Sequence, residues 1–174
     1  MIPVKYTVVN EEVLYSTESV TRLNRVDIEL LKALASKNQR KRIRLCLHPN
    51  TEDHLHEMII IHSKGAYVRP HKHVGKSESF HVVEGCLRVY FFEDDGRVKD
   101  VITMGQPGRE EIFCYRLSES WFHTIIPITE MVVFHETTNG PFLREETVFA
   151  SWAPPEEDSE AQKKYIDELL MHRS

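Results

Sequence analysis

The sequence places two imidazoles one residue apart, at His71 and His73, and a carboxylate, Glu78, five residues further on. On an extended stretch, side chains at i and i+2 point to the same face, so the two histidines can reach a single cation. Val74-Gly75-Lys76-Ser77 lies between, with the Gly and Ser expected of a turn, which lets the chain double back and offer Glu78 to the same ion. Phe80 and Val82 share the parity of Glu78, whereas Ser79, His81 and Val83 face the other way, so His81 is excluded from direct coordination.

With its flanks, this segment reads GAYVRPHKHVGKSESFHVVEG and resembles the first motif of the cupins, G-x5-H-x-H-x4-E-x6-G, with Gly65, His71, His73, Glu78 and Gly85 at its fixed positions. The resemblance implies a fourth ligand from a later strand, for which His123 in SESWFHTIIP is the candidate. Ser118 and Ser120 stand where the second cupin motif has proline and glycine, and Pro127 where it has asparagine. More broadly the chain resembles the WbuC family of cupin-fold metalloproteins, through SKNQRKR, YVRPHKH, VYFFEDDGRV, WFHT, ETTNGPF and FASWAPPEE. That resemblance implies a role in O-antigen or lipopolysaccharide sugar metabolism, and carries no assigned reaction.

A set of three imidazoles and one carboxylate leaves up to two positions of an octahedral ion open to water or substrate, and iron, manganese, nickel, cobalt and zinc all suit it. An open ion polarises a carbonyl or diol, activates water, or binds oxygen. With the sugar class that the WbuC resemblance implies, one expected function is a metal-dependent isomerase, epimerase or lyase acting on a sugar or nucleotide sugar, and the metal chemistry alone does not choose it over its alternatives. Its alternatives are a non-catalytic carbohydrate-binding or regulatory module and an iron-dependent dioxygenase. Because imidazoles bind metals when neutral, release is expected as pH falls through and below about 6.5. Glu136 has the strand parity to enter the pocket, either as a general base or as a buried, hydrogen-bonded carboxylate. Arg69, Tyr67, Phe80, Tyr90 and Trp121 are candidate pocket-lining residues, with plain core or surface charge as their simpler reading. Arg40 and Arg42 are further phosphate-binding candidates, read more simply as a solvated basic face. His54 and His56 form a second H-x-H without the following Glu and Gly and are expected on a surface or loop; His48, His62, His135 and His172 carry no constellation.

The elements that position these residues follow from hydrophobic period. Short β-type runs at 58–62, 79–83, 87–92, 98–104, 121–126 and 131–136 are separated by turn residues, with Asp94-Asp95-Gly96 a hairpin signal. Before them, Ile28, Leu31, Leu34 and Ala35 recur at three-and-four spacing and predict a helix over about 26–37, with Asp27 among the polar positions. After them, Ser159 and Gln162 resemble a capping box that opens a second helix through Tyr165, Ile166, Leu169 and Leu170, packed on its own barrel or on a partner. The expected fold is mainly β: one cupin barrel, a double-stranded β-helix of jelly-roll type, over 46–150. An N-terminal extension with its helix occupies 1–45 and a C-terminal helical tail 151–174, all in one structural domain.

The 174 residues carry a formal net charge of −5 with 41% hydrophobic and 28% charged residues, an ordinary globular balance without the basic footprint of a nucleic-acid binder. The start MIPVKYTVVNEEV lacks the pattern of a secretory leader and no window reaches a membrane span, so a cytoplasmic location is expected. Cys46, Cys86 and Cys114 lack CxxC spacing and read as reduced thiols. Exposed edge strands make a homodimer the expected assembly.

Overall fold

The computed structural model describes residues 3–108 and 110–172. Two sheets face each other. The first has seven strands in the order β1-β2-β3-β4-β11-β6-β9, and the second has five, β12-β5-β10-β7-β8. In chain order these are β1 (Tyr6–Asn10), β2 (Val13–Ser16), β3 (Arg42–Cys46), β4 (Leu55–Ser63), β5 (His71–His73) and β6 (Glu78–Glu84). They are followed by β7 (Cys86–Phe92), β8 (Val98–Gly105), β9 (Cys114–Leu117), β10 (Phe122–Pro127), β11 (Met131–Asn139) and β12 (Thr147–Phe149). Consecutive segments thus alternate between the sheets: β5 lies in the second, β6 in the first, and β7 in the second again.

The crossing from β6 to β7 turns on Gly85, whose φ of +83° lies in the left-handed region. A Cβ there would collide with the Met131 carbonyl and stand 2.6 Å from Thr129 Oγ1, so only glycine fits. The predicted Asp94-Asp95-Gly96 hairpin is present, with Glu93 and Gly96 closing the turn through Glu93 N–H to Arg97 O at 2.9 Å and Gly96 N–H to Glu93 O at 3.0 Å.

Side chains that alternate inward from both sheets form the central core: Met58, Ile60, Phe80, Val82, Val89, Phe91, Ile125 and Phe134 among them. The other face of the first sheet is covered by α1 (Arg25–Lys37), which buries Leu31 and Ala35 against Ile43, Leu45, Ile59, Ile61 and Val133. Burying a side chain the size of Leu31 contributes about 1.5–3 kcal/mol. Asp27 departs from the expected polar face and is fully buried. Its carboxylate accepts from the backbone N–H groups of Asn24 and Val4, both at 2.8 Å, while the Asn24 side chain caps Val26 N–H. The sequence pattern located the helix but not this closure, which ties the N-terminal segment to it.

The N-terminal 45 residues contribute β1, β2 and most of β3 to the first sheet, in addition to the predicted helix. The second helix, α2 (Ser159–Met171), packs on its own barrel. Its Ile166 and Leu169 cover the outer face of the second sheet through Tyr67, Tyr90, Phe92, Phe122 and Ile126. Its cap differs by one residue from expectation. Asp158, not Ser159, accepts from Ala161 N–H at 3.0 Å, and Gln162 reaches the Pro155 carbonyl instead of completing a box. An ionised aspartate at the N-terminus also suits the helix dipole better than a serine.

Candidate metal centre

His71 and His73 lie two apart on β5, and His123 on β10 is the direct cross-strand partner of His71. One potential ligand atom from each lies within 4.8 Å of the others. Opposite them, from the first sheet, β6 brings Glu78 inward at the same level. His123 Nε2 is 3.1 Å from Glu78 Oε1, and His73 Nε2 is 3.7 Å from Glu78 Oε2. Glu78 and His123 are buried and the other two histidines half-buried. The Glu78 parity expected from sequence is observed: Phe80 and Val82 are buried with it, while His81 and Val83 face out.

The orientation of the rings comes from what their other nitrogens touch. His71 Nδ1 donates to the Arg69 carbonyl at 2.9 Å, and His123 Nδ1 to the Trp121 carbonyl at 3.1 Å. A carbonyl oxygen can only accept, so in both rings the proton sits on Nδ1 and the Nε2 lone pair is left for a cation. His73 Nδ1 lies 3.2 Å from Thr147 Oγ1 on β12, a hydroxyl able to hold the same tautomer. Tyr115 Oη on β9 donates to Glu78 Oε1 at 3.2 Å and orients the carboxylate. Neither Thr147 nor Tyr115 was singled out from sequence, because both sit on strands of only three and four residues.

Burial, reinforced by His123 and His73, pushes the His71 pKa down to about 3, so this imidazole is neutral at ordinary pH. Burial also depresses His73. For His123, burial works downward but the Glu78 carboxylate outweighs it and the pKa is raised. Burial alone would raise Glu78, yet His123 first, then His73 and His71, hold it below the usual carboxylate range. A metal-free site thus favours a proton between His123 and Glu78, where a divalent ion would place its own charge. The donor set, three imidazoles and one anionic oxygen, is chemically suited to a divalent transition ion, which His71, His73 and His123 would hold with Glu78 beside them.

Glu136 on β11 faces the interior between Phe80 and Met58, its cross-strand partners. Burial, and then the charge of Glu78, raises its pKa well above the ordinary carboxylate value. Phe80 lies in the central core against Tyr115 and Phe134. Trp121 is partly exposed, beside Phe91 and under the Lys99 ammonium.

Two pocket candidates are corrected. Tyr90 faces the opposite side of the second sheet and donates to the Leu169 carbonyl of α2 at 2.8 Å, and Tyr67 joins the same outer cluster and donates to Pro154 O at 2.8 Å. Both faces of that sheet are buried, one inside the barrel and one under α2, so an aromatic run such as VYFF does not reveal which residues face in. Arg69 directs its guanidinium to the Ala150 carbonyl at 2.8 Å and lies over the Phe149 ring; its backbone carbonyl is what serves the site. Arg40 pairs with Glu12 and Glu156, and Arg42 with Glu12, so both are neutralised within the fold. His56, expected on a surface or loop, is buried on β4 and stacks on His48 at 4.0 Å, while His54 is exposed.

Two facing sheets, an inward histidine cluster on one and a glutamate on the other define a single cupin β-barrel with flanking helices, whose His71, His73 and His123 can hold a metal ion. Among solved structures, the chain is similar to a recombinant oxalate oxidase in complex with glycolate, at 14% identity and a TM-score of 0.50, over 66% of this chain and 57% of that one. It is also similar to the cupin domain of Schizosaccharomyces pombe Cnp3, at 16% identity and a TM-score of 0.45, over 58% of this chain and 66% of that one. It therefore spans less than two thirds of either chain's length. A family described as a domain of unknown function, DUF6016, matches residues 23–104, which include His71, His73 and Glu78 but stop before His123. No curated protein matches the sequence. Among the described residues no helix is long and apolar enough to cross a membrane.

Proposed function

We propose that the chain is a metal-dependent cupin of the WbuC type, in which His71, His73, Glu78 and His123 together hold one divalent transition ion and act on a sugar or nucleotide-sugar intermediate of O-antigen or lipopolysaccharide synthesis. The observation that carries the metal reading is the arrangement of the rings: His71 and His123 turn Nδ1 to backbone carbonyls, and one potential ligand atom each of His71, His73 and His123 lies within 4.8 Å of the others. The sugar reading rests on the sequence resemblance alone. A cytoplasmic homodimer accompanies it, with the exposed Val8 and Val9 of edge strand β1 as the pairing surface. In this reading the chain is one structural domain, with β1 to β3 of the N-terminal segment widening the first sheet and α2 covering the second.

A divalent ion held by His71, His73, Glu78 and His123 would supply Lewis acidity toward a carbonyl, a vicinal diol or water. In the metal-free site, burial and the neighbouring Glu78 charge push the Glu136 pKa up to about 8, so a protonated Glu136 is available to donate to a substrate atom brought beside it. His71 and His123 stay fixed by their carbonyl anchors, so substrate contacts do not reorient them. Proton competition for the ion begins at His123, whose pKa is raised, while His71 remains neutral far below 6.5.

The test is elemental analysis of protein purified without added metal, followed by thermal-shift screening of nucleotide sugars against wild type and His123→Ala. Near-stoichiometric metal in wild type, lowered at least a hundredfold in affinity in His123→Ala, supports the centre. Equal metal content in the two proteins refutes it, and metal without any stabilisation by nucleotide sugars refutes the proposed substrate class.

A further inference from the structure

A cleft of about 610 Å³ opens between α2 and the segments that precede β3 and follow β4, on the outside of the barrel and away from the histidines. Its volume falls in the range of small-molecule sites, roughly 300–1,000 Å³. The floor is apolar, formed by Tyr67, Ile126, Pro127 and Ile166. Its rim carries Arg40, Lys41, Lys64 and Lys163 against only Glu156 and Asp167. Glu156 is already engaged by Arg40, and Lys64 faces Glu130 at 3.5 Å on the surface. Lys41 and Lys163 have no ion-pair partner among the described residues.

Lys41 is held in an unusual way. Its φ of 57° makes it the non-glycine residue in the left-handed region among the described residues. A conformation that L side chains rarely adopt persists when the surroundings impose it, and such positions concentrate at functional sites. Here its N–H donates to Asn38 O at 3.0 Å and its carbonyl accepts from Ser63 N–H at 2.8 Å. The ammonium lies close over Gly65, where a Cβ would stand 3.3 Å from Lys41 Nζ. A second observation lies in the adjoining crevice, which shares Tyr67, Ile126 and Ile166 with the cleft. There the Tyr165 hydroxyl is buried with no hydrogen-bond partner and stands edge-on to Tyr67. A buried hydroxyl left unsatisfied is costly unless something else supplies a partner.

We propose that this cleft is a second binding site, for a phosphorylated small molecule with a hydroxylated body: Lys41 and Lys163 meet the phosphate, and Tyr67, Gln39 and Gln162 meet the body. An aromatic face with two amides suits a sugar ring or a base, and two uncompensated ammonium groups favour an anion. None of the four proposed metal ligands lines the cleft, so the site stands or falls independently of the metal centre.

The experiment titrates the full-length protein with inorganic phosphate, glucose 1-phosphate and UDP-glucose while backbone amide resonances are followed. Expected are shifts concentrated at Lys41, Gly65, Tyr67, Ser159 and Gln162. Affinity should fall by roughly tenfold in Lys41→Gly and again in Lys163→Ala. Glycine suits the left-handed backbone at position 41, so that variant removes the ammonium without disturbing the fold. Lys164→Ala, on the same helix but paired with Glu168, should bind as wild type. The proposal is overturned by shifts scattered over all lysine-bearing surfaces, by variants that bind as wild type, or by no binding at millimolar ligand. It is equally overturned if inorganic phosphate binds as tightly as the two sugar derivatives, which would mean an adventitious anion only.

Discussion

Of the three imidazoles, His73 is the one whose orientation depends on a side chain, and Thr147→Val isolates that dependence. His71 and His123 are anchored by backbone carbonyls that no substitution at the acceptor residue removes, whereas His73 Nδ1 relies on Thr147 Oγ1 at 3.2 Å. Valine keeps the shape of threonine and suits β12, an edge strand, so the change deletes one hydrogen bond and little else. A hydrogen bond of this kind contributes about 0.5–1.5 kcal/mol, and lost partners of ligating histidines lower metal affinity by roughly 10- to 100-fold. The bond is long for its type and half-buried, which favours the low end of the affinity range: about tenfold weaker binding at most, or up to about 1.4 kcal/mol. Competition between the protein and a chromogenic chelator for zinc or cobalt at pH 8 measures this directly. The metal-free melting temperatures of the two proteins should differ much less than the metal-loaded ones. Affinity within twofold of wild type would show that Thr147 does not set the His73 tautomer, and the reasoning from second nitrogens would be wrong.

Other perturbations read different parts of the structure. His62 is buried, and burial first, then Arg42 and Arg44, hold its pKa down to about 3. The unfolded chain takes up a proton near pH 6.5 that the native state refuses until about pH 3, so the associated stability is complete above 6.5 and declines as pH falls through that window. Urea unfolding should therefore show His62→Leu losing about 2–3 kcal/mol less than wild type between pH 7 and 4.5; parallel losses would contradict the burial argument. Glu136 has a raised folded pKa, so its ionisation costs stability increasingly as pH rises above the unfolded value of about 4.3. Glu136→Gln should accordingly stabilise the metal-free protein at pH 9 relative to pH 5, and should lower turnover of any substrate found by about 10²- to 10⁴-fold. Gly85→Ala should cost about 2–4 kcal/mol in thermal or urea unfolding, from a strained φ and the collision at Met131 and Thr129. A loss below about 1 kcal/mol would mean the β6–β7 crossing tolerates a side chain.

The central strands were legible because their residues alternate or run continuously apolar, and the His71, His73 and Glu78 group because strand parity dictates which side chains share a face. The helix over 26–37 was legible from its period. Less accessible were β1, β2, β9 and β12, each three to five residues long, too short for a period to stand out. Partners of the site on such strands, Thr147 and Tyr115, went unnoticed with them. Tyr67 and Tyr90 were drawn toward the pocket because an apolar run between two buried faces looks the same whichever face a residue serves. The stacking of His48 on His56 is made by the antiparallel β3–β4 hairpin, which brings residues eight apart face to face, and the loop between them carries no apolar period that would mark that hairpin in the sequence.

The proposed ligands come from two layers: three histidines on the five-stranded sheet and the glutamate on the seven-stranded one. A cation bridging them would act as a rivet between layers that are otherwise joined by core packing, by the chain crossings and by the His123–Glu78 contact. By linkage, whatever shifts one layer against the other must alter metal affinity, and metal occupancy must in turn resist that shift. The ion's grip is then a gauge of the barrel's internal spacing as well as a source of chemistry.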